Sequence, residues 1–138
     1  MNKDIKMTSS RPYLLRAIYE WIVDNNMTPY LLVDATAEAV QVPNEHVNNG
    51  KIILNISPAA VMGLDLGAEV VSFNARFSGK PMFVNVPMKA VLAIYSKENG
   101  RGMVFTEDDG GSPEPGGSGP GPGRRGAQRL QLREWRRA

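Results

Sequence analysis

Cysteine is absent from the 138-residue chain, and histidine occurs once, at His46. Without cysteine the chain has no disulfide, no thiolate nucleophile and no cysteine-ligated zinc or iron–sulfur site. A single imidazole leaves no Ser-His-Asp triad and no multi-histidine metal centre, and Glu45-His46 lacks further ligands at motif spacing. The scattered carboxylates show no pair spaced for acid–base catalysis. We therefore expect a protein that is not an enzyme and that holds no metal or cofactor.

Long apolar runs are missing as well. No stretch approaches the ~18 apolar residues that a membrane-spanning helix needs. Residues 1–6 contain no apolar run of the kind found in secretory signals. We expect a cytoplasmic protein without a membrane partner.

Charge is distributed unevenly along the chain, although the net charge is only +2. Residues 1–106 carry ten basic and nine acidic side chains, and residues 107–123 carry four acids and no base. Residues 124–138 carry six arginines against one glutamate. A nearly neutral body argues against a nucleic-acid-binding domain, so any such activity would have to lie in the basic end.

Glycine and proline concentrate in one segment and mark a boundary. Residues 110–126 hold eight of the 14 glycines and four of the 10 prolines, and no large apolar residue. Such a segment has nothing to bury that would offset the entropy of ordering it. We expect a folded domain over residues 1–109, a flexible linker over 110–126 and a basic-hydrophobic terminal segment over 127–138.

The clearest helix is predicted over residues 11–25. Pro12 suits its first turn. One apolar stripe at helical spacing consists of Leu14, Leu15, Ile18 and Ile22, and a second consists of Tyr13, Ala17 and Trp21. A surface helix of a monomer needs only one stripe. Two interpretations stay open: the helix is sunk in a small core, or the second stripe packs against another subunit.

Short runs rich in β-branched and aromatic residues follow the helix. They are separated by turn signals, and Ser78-Gly79-Lys80-Pro81 indicates a hairpin. The predicted strands are residues 31–33, 51–56, 69–77, 82–86 and 90–95, with a further short strand at 102–105. The glycines at 63 and 67 do not have phosphate-loop spacing. The expected fold class is mainly β with an N-terminal α-helix, a small barrel or sandwich.

One predicted strand places candidate binding side chains on one of its two faces. Side chains alternate along a strand, so Phe73, Ala75 and Phe77 would face one way while Asn74 and Arg76 face the other. Amide and guanidinium groups on one face can hold a polar peptide. The alternative is that Arg76 is simply a solvated strand residue.

The terminal segment combines its arginines with Leu130, Leu132 and Trp135. It could be a short linear motif that docks on a partner. It could equally make nonspecific contacts to nucleic acid or membrane. A vector-derived or frame-shifted terminus is a third interpretation.

Several blocks of sequence, taken in order, resemble the stringent starvation protein B family, bacterial adaptors that hand tagged substrates to the ClpXP protease. The blocks are RPYLLRA at 11–17, EW at 20–21, DN at 24–25, TPY at 28–30, VP at 42–43, GKIILNI at 50–56, FNARF at 73–77 and AIYSKENG at 93–100. Together they span nearly the whole predicted domain.

The resemblance implies an Sm-like or SH3-like β-barrel behind the helix, with a disordered C-terminal tail, and a homodimer in which Tyr13 and Ala17 lie on the dimer face. It also implies a groove for an extended peptide from the ssrA tag, which is appended to proteins from stalled ribosomes. The positions matching that groove are Val47, Ile56, Ala60, Asn74, Ala75, Arg76 and Phe77.

The family's disordered tail ends in a motif that docks on the N-terminal domain of ClpX. Here the usual run of branched aliphatic residues and lysine is absent, and Leu130, Leu132 and Arg133 are the residues left to make that contact. The resemblance thus implies a nonenzymatic adaptor whose partners are ssrA-tagged proteins, ClpX and a second copy of the chain. The alternative is a small RNA-binding β-barrel protein with an arginine-rich tail.

Overall fold

The computed structural model describes residues 7–106, and the predicted linker and terminal segment lie outside them. The described chain contains one helix, seven strands and two short 3₁₀ turns. These are α1 (Arg11–Asp24), β1 (Pro29–Asp34), a 3₁₀ turn (Asn44–His46), β2 (Lys51–Asn55), β3 (Val61–Leu66), β4 (Val70–Phe77), β5 (Lys80–Pro87), a second 3₁₀ turn (Met88–Ala90), β6 (Val91–Ser96) and β7 (Gly102–Val104).

The strands form two antiparallel sheets. One sheet has the order β2-β1-β6-β7 and the other has the order β3-β4-β5. Gln41, in the connection after β1, pairs with Asn85 on the free side of β5 through bonds of 2.8 and 3.1 Å. Helix α1 and both sheets enclose a large core that includes Leu15, Leu31 and Phe73, and a second, smaller buried cluster consists of Leu32, Ala93 and Tyr95. The expected class, mainly β with an N-terminal helix, is confirmed.

Helix α1 begins and ends almost where the sequence predicts. At its start, the Arg11 backbone N–H donates to the Ser9 hydroxyl at 3.0 Å. At its end, the chain turns through Asn26, whose φ of 60° is left-handed. Leu15 and Ile22 are buried, whereas Leu14 is exposed although its spacing placed it in the core-facing stripe. The second stripe, Tyr13, Ala17 and Trp21, faces away from the core.

The β4–β5 hairpin matches the prediction closely. Its turn is Ser78-Gly79, and both residues have positive φ, 54° and 82°. Two positive φ values are typical of a type I′ turn, whose twist suits two antiparallel strands. The last predicted strand is present as β7, and residues 88–90 form the short helical turn between β5 and β6.

Strand β3 is the element that the sequence pattern did not predict. Its pairing with β4 shifts between Met62 and Asp65, because Gly63 takes a φ of 66° and the strand bulges there. A bulge inserts an extra residue and interrupts the alternation of apolar and polar side chains. For the described part of the chain, α1 included, no helix combines the length and hydropathy needed to cross a membrane.

Candidate functional site

The outward face of the β3–β4–β5 sheet carries the most promising group of polar side chains. On β4, Val71 and Phe73 point into the core and are fully buried. The alternate residues, Asn74 and Arg76, are exposed. The alternation expected for residues 73–77 is therefore what the strand shows.

Strand register places other side chains beside these two. Met62 on β3 and Phe83 on β5 are both paired with Asn74, so the three residues form one row across the sheet. Arg76 is paired with Pro81. Ala60 is the exposed turn residue immediately before Val61, and Val61 is the partner of Ala75. We call the two rows, together with Ala60 at the start of β3, the outer patch: Ala60, Met62, Asn74, Arg76, Pro81 and Phe83.

Arg76 is held in place but retains most of its donors. Its Nη1 donates to the carbonyl oxygen of Gly79 in the hairpin turn, at 3.1 Å. No carboxylate among residues 7–106 pairs with this guanidinium. The Asn74 amide is exposed and forms no hydrogen bond with another described residue. The two side chains can therefore bind carboxylate and carbonyl oxygens of an incoming ligand.

Four of the seven predicted groove residues lie elsewhere. Ile56 has no exposed surface and belongs to the core. Val47, Ala75 and Phe77 are half-buried and pack against that core. The ring of Phe77 lies 5.7 Å from the ring of His46 in the first 3₁₀ turn. In the single chain, only Ala60, Asn74 and Arg76 of the seven come together on the outer patch.

Two exposed apolar residues of the outer patch were not predicted as site residues. Met62 is 75% exposed and Phe83 is 51% exposed. Alternation along residues 82–86 could have identified Phe83 as outward-facing, because Val84 and Val86 are the buried residues of that strand. Met62 has no comparable signal, because strand β3 was itself missed.

The outward stripe of α1 forms a second exposed surface. Tyr13 is 62% exposed and Trp21 is 47% exposed, with Ala17 between them. The Arg16 guanidinium lies over the Tyr13 ring, 4.9 Å from its centroid. Arg16 also donates to the Leu66 carbonyl oxygen at 2.8 Å, which links α1 to β3.

A cavity of about 230 Å³ lies at the end of α1, lined by Trp21, Ile22, Asn25, Met27, Ser96, Asn99 and Arg101. Beside it, Thr28 donates to the Glu98 carboxylate from both its backbone N–H and its hydroxyl, each at 2.8 Å. These bonds, with the backbone N–H contributing most, lower the pKa of Glu98 to about 2. The carboxylate is thus engaged in joining the β6–β7 turn to the start of β1.

Residues 7–106 hold no cluster of three or more metal-ligating side chains. The predicted docking residues Leu130, Leu132 and Arg133 lie outside the described residues.

Comparison with known proteins identifies the family of the chain. Residues 9–120 match the family model of stringent starvation protein B. A stringent starvation protein B homolog from Haemophilus influenzae is 49% identical over 106 residues, which cover 77% of this chain and 71% of that protein. The chain therefore belongs to the stringent starvation protein B family.

Proposed function

We propose that this chain is a cytoplasmic, nonenzymatic adaptor that captures proteins carrying the ssrA tag and delivers them to the ClpXP protease. The observation that supports this most is the outer patch. Three positions that match the family's tag groove belong to it: Asn74 and Arg76, which are exposed on the same face of β4, and the exposed turn residue Ala60 just before β3. Membership of the stringent starvation protein B family is consistent with such a role.

Capture depends on hydrogen bonds from the patch to the peptide. Arg76 supplies charge-assisted donors for a carboxylate, and the Asn74 amide can pair with the peptide backbone. The small side chain of Ala60, just before β3, leaves room for the peptide to approach the sheet. Val47, Ala75 and Phe77 act through the core, where they hold the end of β4 in position.

Delivery depends on two copies of the chain acting together. The exposed stripe of α1, with Tyr13 and Ala17, packs against the same stripe of a second copy. Each dimer then presents two outer patches and two tails. Leu130, Leu132 and Arg133 of each tail dock on the N-terminal domain of ClpX, so a weak contact becomes effective because both tails engage at once.

Fluorescence anisotropy of a labelled ssrA-tag peptide, titrated with the full chain, tests capture. We expect saturable binding that Arg76→Ala weakens about tenfold or more, since a charge-assisted hydrogen bond contributes about 1.5–3 kcal/mol. Arg101→Ala is the matched control, because it removes an exposed arginine from the turn between β6 and β7, outside the outer patch. Equal effects of the two substitutions, or no binding at tens of micromolar protein, would rule the outer patch out as the tag site.

Degradation of a tagged fluorescent protein by ClpXP tests delivery separately. Removing residues 110–138 should abolish the acceleration that the full chain gives, while tag binding persists. If the truncated chain accelerates degradation as well as the full chain, the tail has no role in delivery.

A further inference from the structure

We propose that Met62 and Phe83 form an apolar subsite of the outer patch, which selects a peptide with an apolar side chain two residues from an acidic one. This inference deepens the proposed peptide capture and rests on it. It concerns two residues that no resemblance assigned.

The subsite follows from the row that these residues share with Asn74. Directly paired residues on one sheet face have Cβ atoms about 4.5–5.5 Å apart. Met62 and Phe83 thus flank the shorter Asn74 side chain on both sides. Two long apolar side chains around a short polar one leave a shallow notch above Asn74. An apolar side chain seated in that notch touches both walls and loses its own exposed surface.

The distance between Asn74 and Arg76 determines where the acidic side chain of the peptide must lie. Asn74 and Arg76 are two residues apart on β4, and a strand rises about 3.3 Å per residue, so their rows are about 7 Å apart. An extended peptide lying along β4 repeats its sheet-facing side chains at the same interval. When its apolar side chain fills the notch, the side chain two positions away lies at Arg76. A carboxylate there meets the Arg76 guanidinium, whose one hydrogen bond among the described residues goes to the Gly79 carbonyl oxygen.

Exposure and charge point to a peptide partner of this kind. Met62 and Phe83 are two of only six large apolar side chains exposed among residues 7–106, and three others, Tyr13, Leu14 and Trp21, belong to α1. Apolar side chains that adjoin free polar groups are typical of binding sites, where a few polar contacts fix orientation. The notch and the guanidinium together match a ligand that is apolar at one position and acidic at the next one facing the sheet.

Methyl NMR of the full chain, labelled with ¹³C at the methionine methyl groups, tests the subsite. The probes are two extended peptides with the same flanks, one containing Glu-Gly-Leu and the other Glu-Gly-Ser. We expect the leucine peptide to shift the Met62 methyl resonance and to bind about tenfold more tightly than the serine peptide. Met62→Ser and Phe83→Gln should each bring that affinity ratio close to one. Met7→Ser is the matched control, because Met7 is 73% exposed and lies outside the patch.

The outcomes that overturn the subsite differ from the one that overturns the proposed function. An affinity ratio that survives both substitutions, or a leucine peptide that leaves the Met62 resonance unshifted, would place the apolar contact elsewhere. A Met62 shift that depends on protein concentration alone would mean that a second copy covers the patch. Suppose that the ssrA-tag peptide binds in an Arg76-dependent way, while Met62→Ser and Phe83→Gln leave the affinity ratio of the leucine and serine peptides unchanged. Then only the subsite fails. If the leucine preference holds but the tag does not bind, only the proposed function fails.

Discussion

The Arg11 guanidinium donates from Nη1 to the carbonyl oxygen of Val91 at 2.9 Å, and so ties the first turn of α1 to the start of β6. The same nitrogen reaches the Met88 carbonyl oxygen at 3.3 Å, and Nη2 bonds to the Thr106 carbonyl oxygen. Arg11 is only 6% exposed, and its guanidinium lies 5.3 Å from the centre of the Phe105 ring. One side chain thus fastens the helix to the last residues of the described chain.

Replacing this arginine should destabilise the fold markedly. Arg11→Met keeps the length and the apolar stem but leaves several carbonyl oxygens at a buried site without their charged donor. We expect the free energy of unfolding to fall by about 1.5–3 kcal/mol, the usual contribution of hydrogen bonds to a charged group. Urea unfolding measures this, and Arg101→Met, at an exposed arginine, should change the midpoint little. Equal stability of the two variants would mean that the carbonyl contacts contribute nothing net.

A close approach of two strands makes Gly102 irreplaceable although it is exposed. A Cβ built there would lie 2.0 Å from the Ile94 carbonyl oxygen and 2.5 Å from the Tyr95 Cα, so the backbone of β7 would have to shift. We expect Gly102→Ala to lower the free energy of unfolding by about 2 kcal/mol or more. The control is Gly79→Ala, where φ is 82° but no atom lies within 4 Å of the new Cβ. Thermal unfolding should rank Gly102→Ala as the less stable variant, and the reverse order would contradict the close approach.

The Thr28–Glu98 contact should make stability depend on pH in the acid range. The two Thr28 bonds lower the pKa of Glu98 to about 2, from an ordinary value of 4.5. A carboxyl group whose pKa is lower in the folded state stabilises the fold fully above its unfolded pKa. That contribution disappears as the pH falls from 4.5 through 2.

Carboxyl-detected NMR titration of Glu98 measures the shift directly. Thr28→Val removes the hydroxyl donor and keeps the backbone N–H, so the pKa of Glu98 should rise and still remain below 4.5. Urea unfolding of Glu98→Gln, compared with the unaltered chain, should show a stability difference at pH 7 that shrinks below pH 4. A difference that is independent of pH would show that the bonds to Thr28 do not favour the charged form.

Local sequence patterns predicted those parts of the fold in which the buried residues recur at the regular spacing of a single helix or strand. The spacing of Leu15 and Ile22 predicted the buried side of α1, and the alternation around Phe73 predicted the two faces of β4. Strand β3 was not predicted, because the bulge at Gly63 interrupts its alternation of apolar and polar side chains. The burial of Arg11 was not predicted either, because its carbonyl partners lie 77 to 95 residues away along the chain.

The candidate site was predictable only in part for the same reason. Asn74 and Arg76 could be placed on one face, because alternation within a single strand determines their direction. Their neighbours depend on the register between strands, which no local pattern specifies when one of the strands is unrecognised. Met62 therefore joined the site only once its pairing with Asn74 was known.

The exposed stripe of α1 provides the last test, that of the proposed dimer. Ala17 lies between Tyr13 and Trp21 on this face, and a symmetric pairing of two such helices would bring the two copies of the stripe together. Ala17→Arg places two like charges at that contact, so the dimer dissociation constant should rise roughly 30-fold or more, the effect of losing about 2 kcal/mol. Sedimentation velocity at micromolar concentration should show the mass of a dimer for the full chain and the mass of a monomer for the variant.

Glu38→Arg, an exposed change in the β1–β2 connection, should leave the dimer intact. A dimer that tolerates Ala17→Arg would place its interface on another surface, whereas a monomeric unaltered chain would remove the second tail on which the proposed delivery depends.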